Sequence, residues 1–200
     1  MNHKRVLAAL FHMLLGVALL WVFSRQFSQP LAAGWIGMIG VCLILHFGLL
    51  AFLAEAWRAG GYPVEPIMNR PLTATSVSDF WGRRWNRPFN ELAVECAFRP
   101  VARRWGVSAG TAGAFLFSGL LHEIVISWPA QGGWGLPTLY FAIQGAALLA
   151  ERRWSLQGRI WTLAVLMVPA FLLFHPPFIL RVMIPFFHAI GALPLNPILS

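Results

Sequence analysis

Charged side chains are scarce in this 200-residue sequence: Asp, Glu, Lys and Arg together make up 11% of it, against about 25% in an ordinary soluble domain. Cysteine is scarcer still. Cys42 and Cys96 are the whole complement, which excludes a disulfide framework. They form no C-x-x-C pair either, so neither zinc nor redox chemistry is indicated. Acidic residues number seven against fifteen basic ones, a net charge of +8. That excess does not point to nucleic acid, because the basic residues cluster between hydrophobic blocks, where cytoplasmic loops of membrane proteins carry them. No repeat, low-complexity tract or soluble module interrupts the blocks.

What is present in quantity is apolar surface, 58% of the residues, with ten tryptophans. It falls in long runs rather than at amphipathic spacing, and runs of about 18 or more residues indicate membrane spans. The runs predict spans at about 6–23, 31–54, 107–128, 135–150 and 160–180, with a further stretch over 182–199 broken by Pro185, Pro194 and Pro197. The first run follows Lys4 and Arg5 like a signal peptide, but Ser24-Arg25-Gln26-Phe27-Ser28 offers no small-x-small cleavage site, so a retained span is expected. Between the second and third runs lies a stretch from Glu55 to about Gly106 that is too rich in Arg and Pro to cross a bilayer as a plain helix. The expectation is an all-α integral membrane protein, one membrane-embedded domain over 1–200, with five to six spans and interfacial or re-entrant helices in the loop.

Arginine placement gives the orientation. With the N-terminus in the cytoplasm, Lys4, Arg5, Arg58, Arg70, Arg83, Arg84, Arg87, Arg99, Arg103, Arg104, Arg152, Arg153 and Arg159 all lie inside, and only Arg25 and Arg181 fall outside. The positive-inside rule therefore predicts a multi-pass protein whose N-terminus and 55–106 loop are cytoplasmic.

Two places carry polar groups that a bilayer tolerates poorly. The third run contains His122-Glu123. A carboxylate at mid-membrane costs about 2.5–3.5 kcal/mol even on insertion scales, so it needs a partner, a proton or water. A histidine bonded to a neighbouring helix is one reading; a functional pair is the other, and intramembrane ionisable residues favour it by default. Zinc-protease chemistry is excluded, since H-E-x-x-H would need histidine where Ile126 stands. Gly106, Gly110, Gly113 and Gly119 in the same run let helices approach closely. His12 and His46, each alone in its span, read as packing residues, as does His175 before Pro176 and Pro177, where a helix must break. The second place is the segment Asp79 to Asn86, which puts Trp81 and Trp85 four residues apart on one helical face. Trp and Arg together commonly anchor a membrane boundary. The anchor reading does not explain a second basic knot at Arg99, Arg103 and Arg104, whose guanidiniums can bind phosphates of a lipid headgroup or of coenzyme A.

The order of these residues adds more than their composition. Pro71-Leu72, then Ser76 to Asn86 (SVSDFWGRRWN), then Phe98-Arg99-Pro100-Val101 closely resemble the signature of plant and microbial wax synthases, long-chain-alcohol O-fatty-acyltransferases of the membrane-bound O-acyltransferase superfamily. Phe117 to Glu123 (FSGLLHE) resembles the second motif of that family, in the right order and at a similar separation. The resemblance covers about Pro66 to Trp128. It implies an all-helical fold with a membrane tunnel where acyl-CoA, a co-substrate, meets a lipophilic hydroxyl compound, with no cofactor and no metal. It puts His122 on the catalytic histidine and Asn86 on the second active-site position, and it matches Trp81, Arg83 and Trp85 to the motif. Substrate contacts are expected from Trp81, Arg83, Arg84, Trp85 and Glu123. Such enzymes usually have more spans before the first motif than the two found here, so a minimal member is expected, or one that completes its tunnel with a partner or by homo-oligomerisation.

The chemistry suits the residues. An apolar span favours a neutral imidazole at His122, able to take the proton of a hydroxyl and pass it to the departing coenzyme A sulfur. Asn86 can orient the thioester or donate to the developing oxyanion. Glu123 can orient the histidine or pair with an arginine. Two other classes fit the same residues: a non-catalytic protein that binds or conducts lipid, and a proton- or ion-handling protein using His122 and Glu123 as a relay.

Overall fold

Asn2 starts the first helix by accepting hydrogen bonds from the backbone amides of Lys4 and Arg5, groups that a helix start leaves without partners. The computed structural model describes residues 2–194, and among them it contains helices, turns and loops but no strand. Helix α1 runs His3–Gln26 and α2 runs Pro30–Ala59. At about 1.5 Å per residue both exceed the roughly 30 Å of a hydrocarbon core. Pro30 opens α2 in the first turn, where its missing N–H costs nothing. The helix outlasts the expected span by several residues because Glu55, 3% exposed, is neutralised locally. Arg5 lies 3.2 Å away, Arg58 pairs with the same oxygen, and the amide of Asn2 donates at 3.3 Å.

The chain divides into two compact units, Met1–Ile67 with Ile179–Ser200, and Met68–Phe178. The first holds α1, α2 and the part of a last helix from Ile179 on; Leu20, Ala33 and Phe187 form its core. Residues 195–199, the end of the last apolar stretch, lie outside the described residues.

The second unit contains both motifs. Helix α3 spans 77–84, capped by the Ser76 side chain on the amide of Asp79 at 2.9 Å. Asn86 sits in the left-handed region, φ 40°, and α4 (87–105) follows with Pro88 in its first turn. Much of the 55–106 stretch, for which interfacial or re-entrant helices were expected, is thus helical. Its arginines do not prevent this, since Arg99 pairs with Glu95 one turn back while Ala93 and Ala97 face inward. Gly106, at φ 84° and ψ 171°, reverses the chain, a conformation a side chain would strain. Helix α5 (107–130) returns along α4, with Gly110 against Phe98 and Ala102, and Gly113 against Val101.

Helix α6 (Leu136–Trp154) packs on α5. The tightest point is Gly119, where an added Cβ would lie 2.8 Å from the Cα of Thr138. Helix α7 (Arg159–Leu173) and α8 (Pro176–Ala189) follow, separated by the break at His175. Val77, Phe115, Ile126, Tyr140, Phe141, Leu148 and Leu173 form the core of the second unit. Among the described residues α1 and α2 are long and apolar enough to cross a membrane, and so by length and composition is Arg87–Ala130, the α4–α5 stretch that Gly106 folds back on itself. The pair α7 and α8 makes a fourth if it is one broken span. Helix α6 is not in that set; it carries Glu151, Arg152 and Arg153 near its end.

Candidate active site

His122 is the last residue of α5 before the helix widens into a π turn over Glu123–Ser127. Its Nδ1 lies 2.7 Å from the carbonyl oxygen of Ser118, one turn back. A carbonyl can only accept, so Nδ1 carries the proton and Nε2 is left as the acceptor. Two rings flank the half-buried imidazole. Phe89 of α4 meets it edge-on at 5.8 Å and Phe141 of α6 at 4.5 Å between centroids. The close approach at Gly119 is what brings α6 within reach.

The Trp-Arg segment reaches this histidine through those same rings. Trp81 packs on Phe141 at 5.5 Å, beside Phe80, Phe115 and Tyr140. Asn86 caps α4 three residues before Phe89, so the start of α4 carries both the motif asparagine and a ring against His122. Asparagine suits this position because its side chain tolerates the left-handed region. Its backbone N–H faces the Met68 sulfur at 3.3 Å. Trp85 stacks on Phe80 at 5.5 Å, and both tryptophans pack on the small core of Ala74, Phe80 and Leu166. Trp85 lies just past α3 with extended backbone, φ −107° and ψ 125°, so the pair shares this core without sharing one helical face as expected.

The two motif arginines differ. Arg84 bonds Asp79 at 2.5 Å and the Thr73 hydroxyl at 2.8 Å, so it holds the loop before α3. Arg83 touches Asp79 at 3.1 Å but is 78% exposed, leaving its guanidinium open to a ligand. Burial would raise the Asp79 carboxyl, but the bond from Arg84 and the charges of Arg84 and Arg83 outweigh it and hold the group below the usual carboxylate range. Farther along, Arg104 lies over Trp105 at 5.1 Å and Arg152 donates to Thr111 at 3.1 Å.

Glu123 neither touches the His122 ring nor pairs with an arginine among the described residues. One oxygen accepts from the amide and hydroxyl of Thr138, at 3.0 and 2.9 Å, capping the start of α6. The other is buried without a hydrogen-bond partner among the described residues. His175 is fully buried. Its Nδ1 accepts from the Phe178 amide at 3.2 Å, so its Nε2 carries the proton and donates to Ser127 at 3.3 Å. That polarity is wrong for a base acting on the serine, and the residue locks the helix break. His12 packs its ring on Phe11 and Phe47, as expected of a packing residue.

Sequence reasoning did not find Phe89, Phe141, Gln144 or Glu151. Gln144 accepts from the Trp81 indole at 3.3 Å, and Glu151 binds the start of α3. The available signal for these two was their polarity within or beside an apolar run, seven residues apart and hence on one helical face.

Residues 64–143 match the family model described as the membrane bound O-acyl transferase family. The chain is 31% identical to the probable long-chain-alcohol O-fatty-acyltransferase 9 of Arabidopsis thaliana, over 88% of this chain and 58% of that one. It is 34% identical to the long-chain-alcohol O-fatty-acyltransferase of Simmondsia chinensis, over 57% of this chain and 37% of that protein. With the acyl-CoA–sterol O-acyltransferase 1 of Arabidopsis thaliana the identity is 30%, over 65% and 44% respectively. The matched regions thus span about half the length of these relatives or less. No solved structure matches the chain.

Proposed function

We propose that the chain, whose residues 64–143 match the model of the membrane bound O-acyl transferase family, is a member of that family and moves a fatty acyl group from acyl-CoA to the hydroxyl of a lipophilic acceptor. The observation that carries this reading is the His122 imidazole, fixed by the Ser118 carbonyl with Nε2 as acceptor and set between two phenyl rings beside the Trp-Arg motif. In the proposed reaction the acceptor hydroxyl gives its proton to Nε2 as its oxygen attacks the thioester carbonyl. The tetrahedral intermediate then expels the coenzyme A sulfur, which takes that proton from the imidazolium. A C–O bond forms, a C–S bond breaks, and ester and free thiol leave with the histidine neutral again. Asn86 serves as the side-chain donor toward the oxyanion, acting where charge develops. Arg83 serves the phosphates of coenzyme A, while Trp81 and Trp85 wall the approach.

The acceptor class rests on the relatives, whose names specify long-chain alcohols and a sterol, and on the apolar surroundings of His122. Purified protein given labelled acyl-CoA should esterify long-chain alcohols in preference to water-soluble polyols. A preference for polyols overturns the acceptor class, and absence of ester with every acceptor overturns acyl transfer.

The same reading gives five to six crossings, with the N-terminus and residues 55–106 on the cytoplasmic side, as the arginine distribution requires. A single cysteine at Ser76 should resist an impermeant thiol reagent in intact cells, and one at Gln131 should react. Efficient external labelling at Ser76 contradicts this topology.

A further inference from the structure

Helix α6 carries two buried polar side chains that belong to neither motif. Gln144 is fully buried, and Glu151, two turns on, is 6% exposed. Gln144 accepts from the Trp81 indole at 3.3 Å and donates to the Val165 carbonyl of α7 at 2.8 Å. Glu151 gathers three donors: the amide of Val77 at 2.7 Å, the amide of Ser78 at 3.2 Å and the Trp161 indole of α7 at 3.0 Å. None of the three is a cation. The carboxylate sits instead at the start of α3, where unpaired amides and the helix dipole favour negative charge.

Resting on the acyl-transfer reading above, we infer that Glu151 is a positioning residue for the reaction, with Gln144 as the second point of hold. Glu151 fixes the first residues of α3 and Gln144 fixes its middle, at Trp81. Trp81 packs on Phe141, and Phe141 packs on His122. The spacing of the two holds along α6 therefore sets how the Trp-Arg segment, and Asn86 at its end, stand against the histidine. Glu151 touches none of the reacting atoms. Its removal strands the buried Val77 amide and takes a partner from the part-buried Ser78 amide and Trp161 indole N–H, and α3 relieves this by shifting toward water. A misplacement of about 1 Å at a reacting centre can cost about 100-fold in rate.

The test compares wild type with Glu151→Ala, Glu151→Gln and Gln144→Met, each normalised to folded protein. Single-turnover rate, KM for acyl-CoA and amide hydrogen exchange are the readouts. Glu151→Ala should lower the rate about 10- to 100-fold while KM moves by less than about threefold. Its α3 amides, residues 77–84, should exchange faster and those around His122 should not. Glu151→Gln keeps one carbonyl oxygen for Val77 and Trp161, so it should recover a large part of the lost rate. Gln144→Met, which keeps the volume without the bonds, should show a smaller loss of the same kind. A Glu151→Ala rate within about threefold of wild type overturns the inference. So does a Gln variant as slow as the Ala variant. If the Ala variant does not fold, the Gln and Met variants decide: both at wild-type rate overturn the inference. An inactive wild type overturns the acyl-transfer reading and this inference together, whereas an active wild type with unaffected variants overturns only the inference.

Discussion

Replacing His122 by alanine is expected to lower turnover by about 10²–10⁴-fold, the usual contribution of a general base. The expectation follows from the tautomer. With Nδ1 committed to the Ser118 carbonyl, Nε2 is the ring atom able to receive a proton from an acceptor hydroxyl. The helix loses little by the change, because alanine is the best helix former and the imidazole is only half-buried. Binding of a non-hydrolysable acyl-CoA analogue should therefore survive. Steady-state rates and analogue binding for both proteins check this together: lost turnover with retained binding fits a base, and loss of both fits a structural histidine. His12→Ala is the control, expected to alter packing and not the rate per folded molecule.

Truncating Phe141 to alanine is expected to have the largest effect on stability. Phe141 is 2% exposed and touches Trp81, Tyr140 and His122 with ring centroids 4.5 to 5.5 Å apart. Removing a buried phenyl ring typically costs about 3–5 kcal/mol, part of it for the cavity left behind. Here the cavity would open beside the histidine, so turnover should fall as well. Phe141→Leu, closer in volume, should keep more of both. Thermal denaturation in detergent, followed by loss of monodisperse protein, measures the first effect. An unchanged midpoint for Phe141→Ala would contradict the packing described.

The fold and the site were not equally legible. The apolar runs announced α1, α2 and α5, because a membrane span is written locally, as length and composition. The two motifs single out His122 and Asn86 as the proposed site positions, because the residues of each motif are contiguous. The reversal at Gly106 was not legible: that glycine reads as one small residue among four, and only its backbone angles distinguish it. Helices were expected in the loop, but the bounds of α4 were hidden for a related reason, since its arginines look like loop residues until Glu95 is seen one turn from Arg99. Phe89, Phe141, Gln144 and Glu151 could not be assigned at all. Their roles depend on partners tens of residues away in sequence, as with Glu151 and Val77, and such pairings arise only when α3, α5 and α6 pack. Glu123 shows the converse. Adjacent to His122 in sequence, it faces Thr138 in space.

The most direct test of the central claim is rapid-quench measurement of ester formation in a single turnover. Wild type and His122→Ala would be mixed with labelled acyl-CoA and a long-chain alcohol, each normalised to folded protein. The account predicts ester from wild type and a rate at least about 100-fold lower from the variant. A variant that keeps more than about a tenth of the wild-type rate, well short of a general-base contribution, would contradict it.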